Sequence, residues 1–203
     1  MATINQLFMQ SELALAAYST LTSPVPDILD LKRVGMSDAQ SRVFSENWRV
    51  IGQYDGKVEE TFIDEFGQEH VVANPTGVSA TVFESVAEGK RYLAIRGTND
   101  LSDIVTDFVD IAVLGTPERQ AQYAALKGQV GAWLSDGTLT AGFTISGHSL
   151  GGFLAGALLV DYPGEISHAY LYNAPGIGGL SAGLRLLAGL ETEPRLIWPR
   201  FLT

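Results

Sequence analysis

The segment from Phe143 to Tyr172 constrains the fold more than any other part of this 203-residue chain. A short apolar run predicts a strand, and a glycine-rich turn leads from it into Leu150 to Val160, an apolar stretch typical of a buried helix. Residues 161–164 break that helix, and Ser167 to Tyr172 predicts a second strand. Two strands joined through a helix lie parallel in one sheet, so we predict an α/β fold with a mainly parallel sheet and flanking helices.

Upstream of this unit, helical and strand patterns alternate. Two amphipathic helices are predicted, over Gln10–Leu21 and Thr116–Ser135, each with one apolar face that packs on the domain. Strands are predicted in two antiparallel pairs: Trp48–Tyr54 with Lys57–Ile63, joined by a tight turn at Asp55-Gly56, and Val78–Val86 with Arg91–Arg96, joined by a short link. We find no repeat or linker that divides the chain, so residues 1–203 are expected to form a single domain.

Charge and composition exclude several classes of function. The formal net charge is −10 and only 13 residues are lysine or arginine, so a nucleic-acid partner is not expected. The chain has no cysteine, which excludes disulfides, thiolate metal sites and cysteine nucleophiles. Neither a conventional signal peptide nor an apolar run near the ~20 residues of a membrane span is visible. We therefore expect a soluble protein, or one exported by a route that its N-terminus does not reveal.

The turn in the β-α-β unit carries the pattern of a catalytic serine. It runs Gly147-His-Ser-Leu-Gly-Gly152, with Gly-x-Ser-x-Gly placed between a strand and a helix. The serine of such a turn is held in a strained conformation, and the flanking glycines prevent collisions across it. We predict Ser149 as the nucleophile and the Leu150 N–H as a donor to the oxyanion of acyl transfer. The alternative is a glycine-rich turn with an incidental serine.

A second oxyanion donor is predicted in the loop that follows an earlier strand. The run Tyr92-Leu-Ala-Ile-Arg-Gly-Thr98 leaves a strand at Arg96 and places Thr98 in that loop. Thr98 can donate through its N–H or its hydroxyl, and one such donor typically stabilises a transition state by about 3 kcal/mol. Taken alone, Arg96-Gly-Thr98 is also an ordinary exit from a strand into a loop.

Together the two segments resemble the class 3 lipases, whose hallmarks are an Arg-Gly-Thr or Arg-Gly-Ser loop followed by Gly-His-Ser-Leu-Gly-Gly. Likeness to bacterial members is suggested by Ser79–Phe83, Ala94–Asn99 and Tyr172–Gly176, and the resemblance covers about residues 35–180. It implies an α/β-hydrolase fold and a lipid ester substrate met at a lipid–water interface. It also implies Ser149 as nucleophile, Thr98 and Leu150 as the oxyanion hole, and no cofactor.

The resemblance further implies a mobile lid over Asp100–Gly115. An apolar face there would meet lipid, with Asp103, Asp107 and Asp110 opposite it. An ordinary amphipathic surface helix is an equal alternative for this segment. Some bacterial members bind calcium, but the spacing of a known calcium loop is absent and we predict no metal. Such relatives are often secreted, which favours export without an N-terminal signal peptide.

The chain departs from the family in its catalytic acid and base, which should follow Ser149. His168 is the only later histidine, and it begins a parallel strand roughly 15 Å from the edge where the serine lies. We expect non-catalytic roles for His168, for His148 beside the nucleophile, and for His70 in the early hairpin. The expectation is a sheet that lacks its last strands and self-associates through an exposed apolar edge.

The sequence thus predicts a serine lipase or carboxylesterase that acts through an acyl-enzyme at Ser149, with triad acid and base unassigned. One version is an active enzyme with an unusual base, such as His168 or a base donated by a partner chain. The alternative is a catalytically impaired lipase-like fragment, or a domain that binds lipid or a partner without turnover. A transport or structural protein would require both motifs to be coincidental.

Overall fold

The structure is a computed structural model and describes residues 2–21, 24–63, 66–97, 117–174 and 196–197. Its described helices are α1 (Ile4–Ala16), α2 (Ile28–Arg33), α3 (Asp38–Asn47), α4 (Pro117–Asp136) and α5 (Leu150–Asp161). Its described strands are β1 (Trp48–Ile63), β2 (Glu69–Ser85), β3 (Arg91–Arg96), β4 (Phe143–His148), β5 (Ile166–Tyr172) and β6 (Leu196–Ile197). No helix in these ranges is long and apolar enough to cross a membrane.

The strands form one mixed sheet in the order β1-β2-β3-β4-β5-β6. The pairs β1–β2 and β2–β3 are antiparallel, whereas β3–β4, β4–β5 and β5–β6 are parallel. The predicted α/β class is therefore confirmed, and so is the β-α-β unit of β4, α5 and β5. The antiparallel pairing of β2 with β3, predicted from their short link, is also confirmed. The two residues of β6 pair with Ala169 and Tyr170, so β5 is not the outer strand at those positions.

The predicted hairpin at Asp55-Gly56 is wrong. Residues 48–63 form the single strand β1, which pairs along its length with β2. The turn-like residues mark an irregularity instead, because Asp55 pairs with Ser79 while Lys57 pairs with Pro75. Glycine, proline and asparagine inside a strand commonly mark such a bulge, where one strand carries extra unpaired residues. Residues typical of a tight turn are present at Asp55-Gly56, but the chain does not reverse its direction there.

Apolar side chains cover both faces of the sheet. Adjacent strand residues point to opposite faces, and adjacent residues of β3 belong to different clusters: Leu93 and Ile95 to one, Tyr92 and Ala94 to the other. The first cluster is completed by α4 and α5, and the second by α1 and α3. The second also contains ring contacts of Phe44 and Trp48 with Phe83 and Tyr92. The sheet is therefore a central layer between two layers of helices.

The N-terminal helix packs as predicted, although its bounds differ. It begins at Ile4, because Thr3 and Gln6 form a capping box that satisfies free N–H groups of the first turn. It ends at Ala16, yet all the residues predicted to pack are buried: Leu13, Ala16, Ala17 and Leu21. Helix α1 lies against β3, β4 and β5. This position brings its C-terminal end to the edge of the sheet at which Ser149 lies.

Replacement by alanine should change the stability of the protein in opposite directions at two glycines, one within α4 and one just after its end. A Cβ at Gly128 would meet nothing within 4 Å, whereas Gly137, just after the helix, has a φ of +81°. We expect Gly128→Ala to stabilise the protein by about 0.5–1 kcal/mol, since glycine within a helix is less favourable than alanine. Gly137→Ala should destabilise it by about 1 kcal/mol, because alanine is strained at positive φ. Urea unfolding of both variants tests this, and equal shifts would contradict it.

Candidate active site

Ser149 occupies the sharp turn between β4 and α5. Its backbone has φ 56° and ψ −127°, a conformation that residues other than glycine adopt only at an energetic cost of about 1–3 kcal/mol. The turn is held by main-chain hydrogen bonds, because the Ser149 N–H donates to the Tyr172 carbonyl at 2.9 Å and the Ser149 carbonyl accepts from Gly152 at 3.0 Å. The Ser149 side chain makes no capping hydrogen bond to α5. A strained residue whose hydroxyl does not cap its helix fits a role in chemistry better than one in folding.

Glycines around the serine allow three segments to meet at backbone distance. A Cβ at Gly147 would lie 2.3 Å from the Gly151 carbonyl oxygen, and one at Gly151 would lie 2.2 Å from the carbonyl oxygen of Ile95 in β3. Real Cβ atoms do not approach backbone atoms this closely. The start of α5 is thus pressed against both β4 and β3, and any side chain at these two glycines would displace it.

The loop after β3 lies directly against the turn. Gly97 is buried, and a Cβ there would be 3.0 Å from the His148 carbonyl oxygen and 3.1 Å from the Leu150 backbone nitrogen. Leu150 is the first residue of α5, so its N–H belongs to the helix's first turn, where amides lack partners within the helix. Thr98, the other predicted oxyanion donor, and the predicted lid at 100–115 lie outside the described residues.

His148 is bound on the α1 side of the sheet. Its Nδ1 lies 3.0 Å from the Tyr18 hydroxyl, and the two rings meet edge to face. Burial lowers the pKa of His148 and raises the pKa of Tyr18, so both side chains are neutral near pH 7. The imidazole is thus engaged in a hydrogen bond with the segment that follows α1, and the non-catalytic role expected for it stays a prediction. Sequence reasoning missed Tyr18, which no motif marks.

Tyr172, at the end of β5, makes a second link between α1 and the turn. Its hydroxyl donates to the Leu7 carbonyl at 2.6 Å, and its own carbonyl accepts from Ser149. Burial raises its pKa. Beside the turn lies a cavity of about 260 Å³ whose lining includes Ala14, Leu15, Tyr18, His148 and Tyr172. Two phenols of this small, largely apolar cavity therefore tie α1 to the strand ends around Ser149.

The other histidines lie far from Ser149 along the strands. His168 pairs with Thr144 near the start of β4, whereas His148, the residue before Ser149, pairs with Tyr172. Tyr172 is four residues after His168 on β5, so the two pairs are roughly 13 Å apart. His70 of β2 pairs with Phe62, seven residues along β1 from Asp55, and the partner of Asp55, Ser79, pairs with Arg96 at the end of β3; this separation is roughly 23 Å. Neither position is within hydrogen-bond reach of Ser149. No cluster of metal-ligating residues occurs in the described part of the chain.

Comparison with known proteins rests on structure alone. No protein-family model matches the sequence, and no curated protein matches it. The crystal structure of Lip2 lipase from Yarrowia lipolytica at 1.7 Å resolution superimposes with a TM-score of 0.54 and 18% identity, covering 84% of this chain and 59% of the lipase chain. The chain has the α/β fold of a lipase. This chain thus spans about 59% of the length of that lipase.

A second structure, of the nonglycosylated Yarrowia lipolytica LIP2 lipase, has a TM-score of 0.43 and 21% identity over 77% of this chain and 54% of that chain. At 18% identity, the likeness to the first of these structures shows the fold alone.

Proposed function

We propose that this protein is a serine ester hydrolase of the class 3 lipase type that cleaves lipid esters through an acyl-enzyme at Ser149. The observation that carries the proposal is the turn between β4 and α5, a nucleophile elbow in this interpretation. It combines a strained serine with glycines that have no room for a side chain. The α/β fold shared with Lip2 lipase supports a lipid ester as the substrate class.

The chemistry is acyl transfer in two steps. The Ser149 oxygen attacks the ester carbonyl carbon, its proton passes to a base, and the carbonyl oxygen becomes an oxyanion. The Leu150 N–H and Thr98 stabilise that oxyanion, after which the alcohol leaves with a proton. Water then attacks the acyl-enzyme, and the fatty acid is released as Ser149 regains its proton. We assign no base or acid within the described residues.

A second candidate is a lipase-like domain that binds lipid or a partner protein without turnover. The positions of the histidines favour it. His148 is bound to Tyr18, and His168 lies near the start of β5, at the end remote from Ser149. Without a general base the serine hydroxyl is a weak nucleophile, so such a domain would bind an ester but hydrolyse it slowly.

Reaction with a fluorophosphonate separates the two candidates. We expect the folded protein to take up one phosphonyl group per chain, located at Ser149 by peptide mass spectrometry, because the reagent requires an activated serine in a formed oxyanion hole. Heat-denatured protein serves as the control and should remain unlabelled. Binding to phospholipid vesicles without labelling of the folded protein would instead support the non-catalytic domain.

A further inference from the structure

Tyr18 joins two segments that meet at the proposed oxyanion hole. Its hydroxyl lies 3.0 Å from Nδ1 of His148, the residue before Ser149, and it also forms a hydrogen bond with the backbone of Gly97 in the loop after β3. Tyr18 follows the C-terminal end of α1, and its partner His148 is 130 residues away in the sequence. The Tyr18 side chain thus connects the end of α1 with the ends of β3 and β4.

One direction follows from the groups involved, because a backbone N–H can only donate and the Gly97 amide therefore donates to the Tyr18 oxygen. With that amide on the Tyr18 oxygen, we expect the phenolic proton to be donated to Nδ1 of His148. In that arrangement neutral His148 carries its own proton on Nε2. The result is a chain of hydrogen bonds from the Gly97 N–H through Tyr18 to His148.

We propose that Tyr18 is a positioning residue that holds the Gly97 loop against the turn, so that the oxyanion donors keep their geometry. The role rests on the proposed function of Ser149. The backbone of Gly97 lies close to the Leu150 amide, because a Cβ at Gly97 would be only 3.1 Å from the Leu150 nitrogen. A donor stabilises an oxyanion only when it is fixed near hydrogen-bond distance before the charge develops. Tyr18 supplies that fixation from the side of the sheet on which α1 packs.

The segment carrying Tyr18 is itself firmly attached to the sheet. Gln53 of β1 donates to the Ser19 carbonyl and accepts from the Leu21 N–H, both at 2.9 Å. On the other side, the Leu7 carbonyl of α1 accepts from Tyr172 at 2.6 Å. Tyr18 is therefore held between two anchors, and it can restrain the Gly97 loop rather than move with it.

The test compares Tyr18→Phe with Tyr162→Phe. The second variant also removes a partly buried phenol hydrogen bond, from Tyr162 to the Lys127 carbonyl at 3.0 Å, but between α4 and the end of α5. We expect Tyr18→Phe to reduce the rate constant for fluorophosphonate labelling, and kcat for p-nitrophenyl esters, about 10- to 100-fold with little change in KM. This is somewhat less than the ~100- to 1000-fold loss on removal of one oxyanion donor. Tyr162→Phe should retain wild-type rates.

Two measurements do not require turnover. In the wild type, ¹⁵N chemical shifts of His148 should show protonation at Nε2, and the Gly97 amide should exchange slowly with solvent. In Tyr18→Phe the Gly97 amide should exchange about five- to tenfold faster, whereas Tyr162→Phe leaves it unchanged. Rates and Gly97 exchange unchanged in Tyr18→Phe would overturn the proposal. If exchange responds but even the wild type does not react with phosphonate, the function proposed for Ser149 fails and the positioning role fails with it, leaving a purely structural link.

Discussion

Replacing Ser149 with alanine is expected to lower kcat for p-nitrophenyl ester hydrolysis on the order of a million-fold. This is the loss seen when the nucleophile of a comparable serine triad is removed, and it corresponds to about 8 kcal/mol of activation free energy. Because Ser149 makes no capping hydrogen bond to α5, its replacement should change the free energy of unfolding little. The measurement is initial rate against ester concentration for purified wild type and variant.

A second variant, Ser149→Gly, serves as a control for the strained turn. Glycine adopts the φ of 56° and ψ of −127° found at this position without the cost paid by serine or alanine. Ser149→Gly should therefore be as inactive as Ser149→Ala but more stable by about 1–2 kcal/mol. Equal ester hydrolysis by the wild type and both variants would remove the case for a working nucleophile and favour the non-catalytic domain.

Features of the fold that depend on residues close together in the sequence could be predicted, whereas features that depend on pairing between distant segments could not. The turn and its β-α-β unit were predictable because the pattern is local: an apolar run, glycines two residues on each side of Ser149, then an apolar helix. The reversal at Asp55-Gly56 was mispredicted because a tight turn and a bulge use the same residues, and the choice depends on the pairing of β1 with β2. Long-range pairing leaves no comparable local signal.

The same reasoning applies to the candidate site. Ser149 and Leu150 could be predicted as site residues because the pattern that marks them lies in neighbouring residues, whereas the bond of Tyr18 with His148 exists only after α1 has packed across β4. His168 illustrates an intermediate case. Its position on a parallel strand was enough to predict that it lies far from the serine, and the register of β5 with β4 places it beside Thr144. The direction of a strand therefore predicts at which end of the sheet its residues lie, whereas a side-chain contact between distant segments cannot be predicted in this way.

Gly151→Ala is expected to lower activity on the order of 100-fold and to destabilise the fold by about 3 kcal/mol or more, although it adds a single methyl group. Its Cβ would lie 2.2 Å from the Ile95 carbonyl oxygen and 2.9 Å from the carbonyl carbon of Arg96. Both are backbone atoms of β3, which is hydrogen-bonded on both sides within the sheet. The strand cannot move aside as a flexible side chain would, so the start of α5 must shift by about 1 Å to reach an ordinary contact distance.

That shift would move the Leu150 N–H away from the position at which the oxyanion forms. A misplacement of about 1 Å costs on the order of 100-fold in rate, and overpacking of this kind costs about 3 kcal/mol or more of stability. Gly164→Ala is the matched control, since a Cβ there meets nothing within 4 Å and should change stability by less than about 0.5 kcal/mol. Urea unfolding and ester hydrolysis of both variants test the argument. If Gly151→Ala behaved like Gly164→Ala, α5 would not pack on β3 at backbone distance, and the geometry proposed for the oxyanion hole would lose its basis.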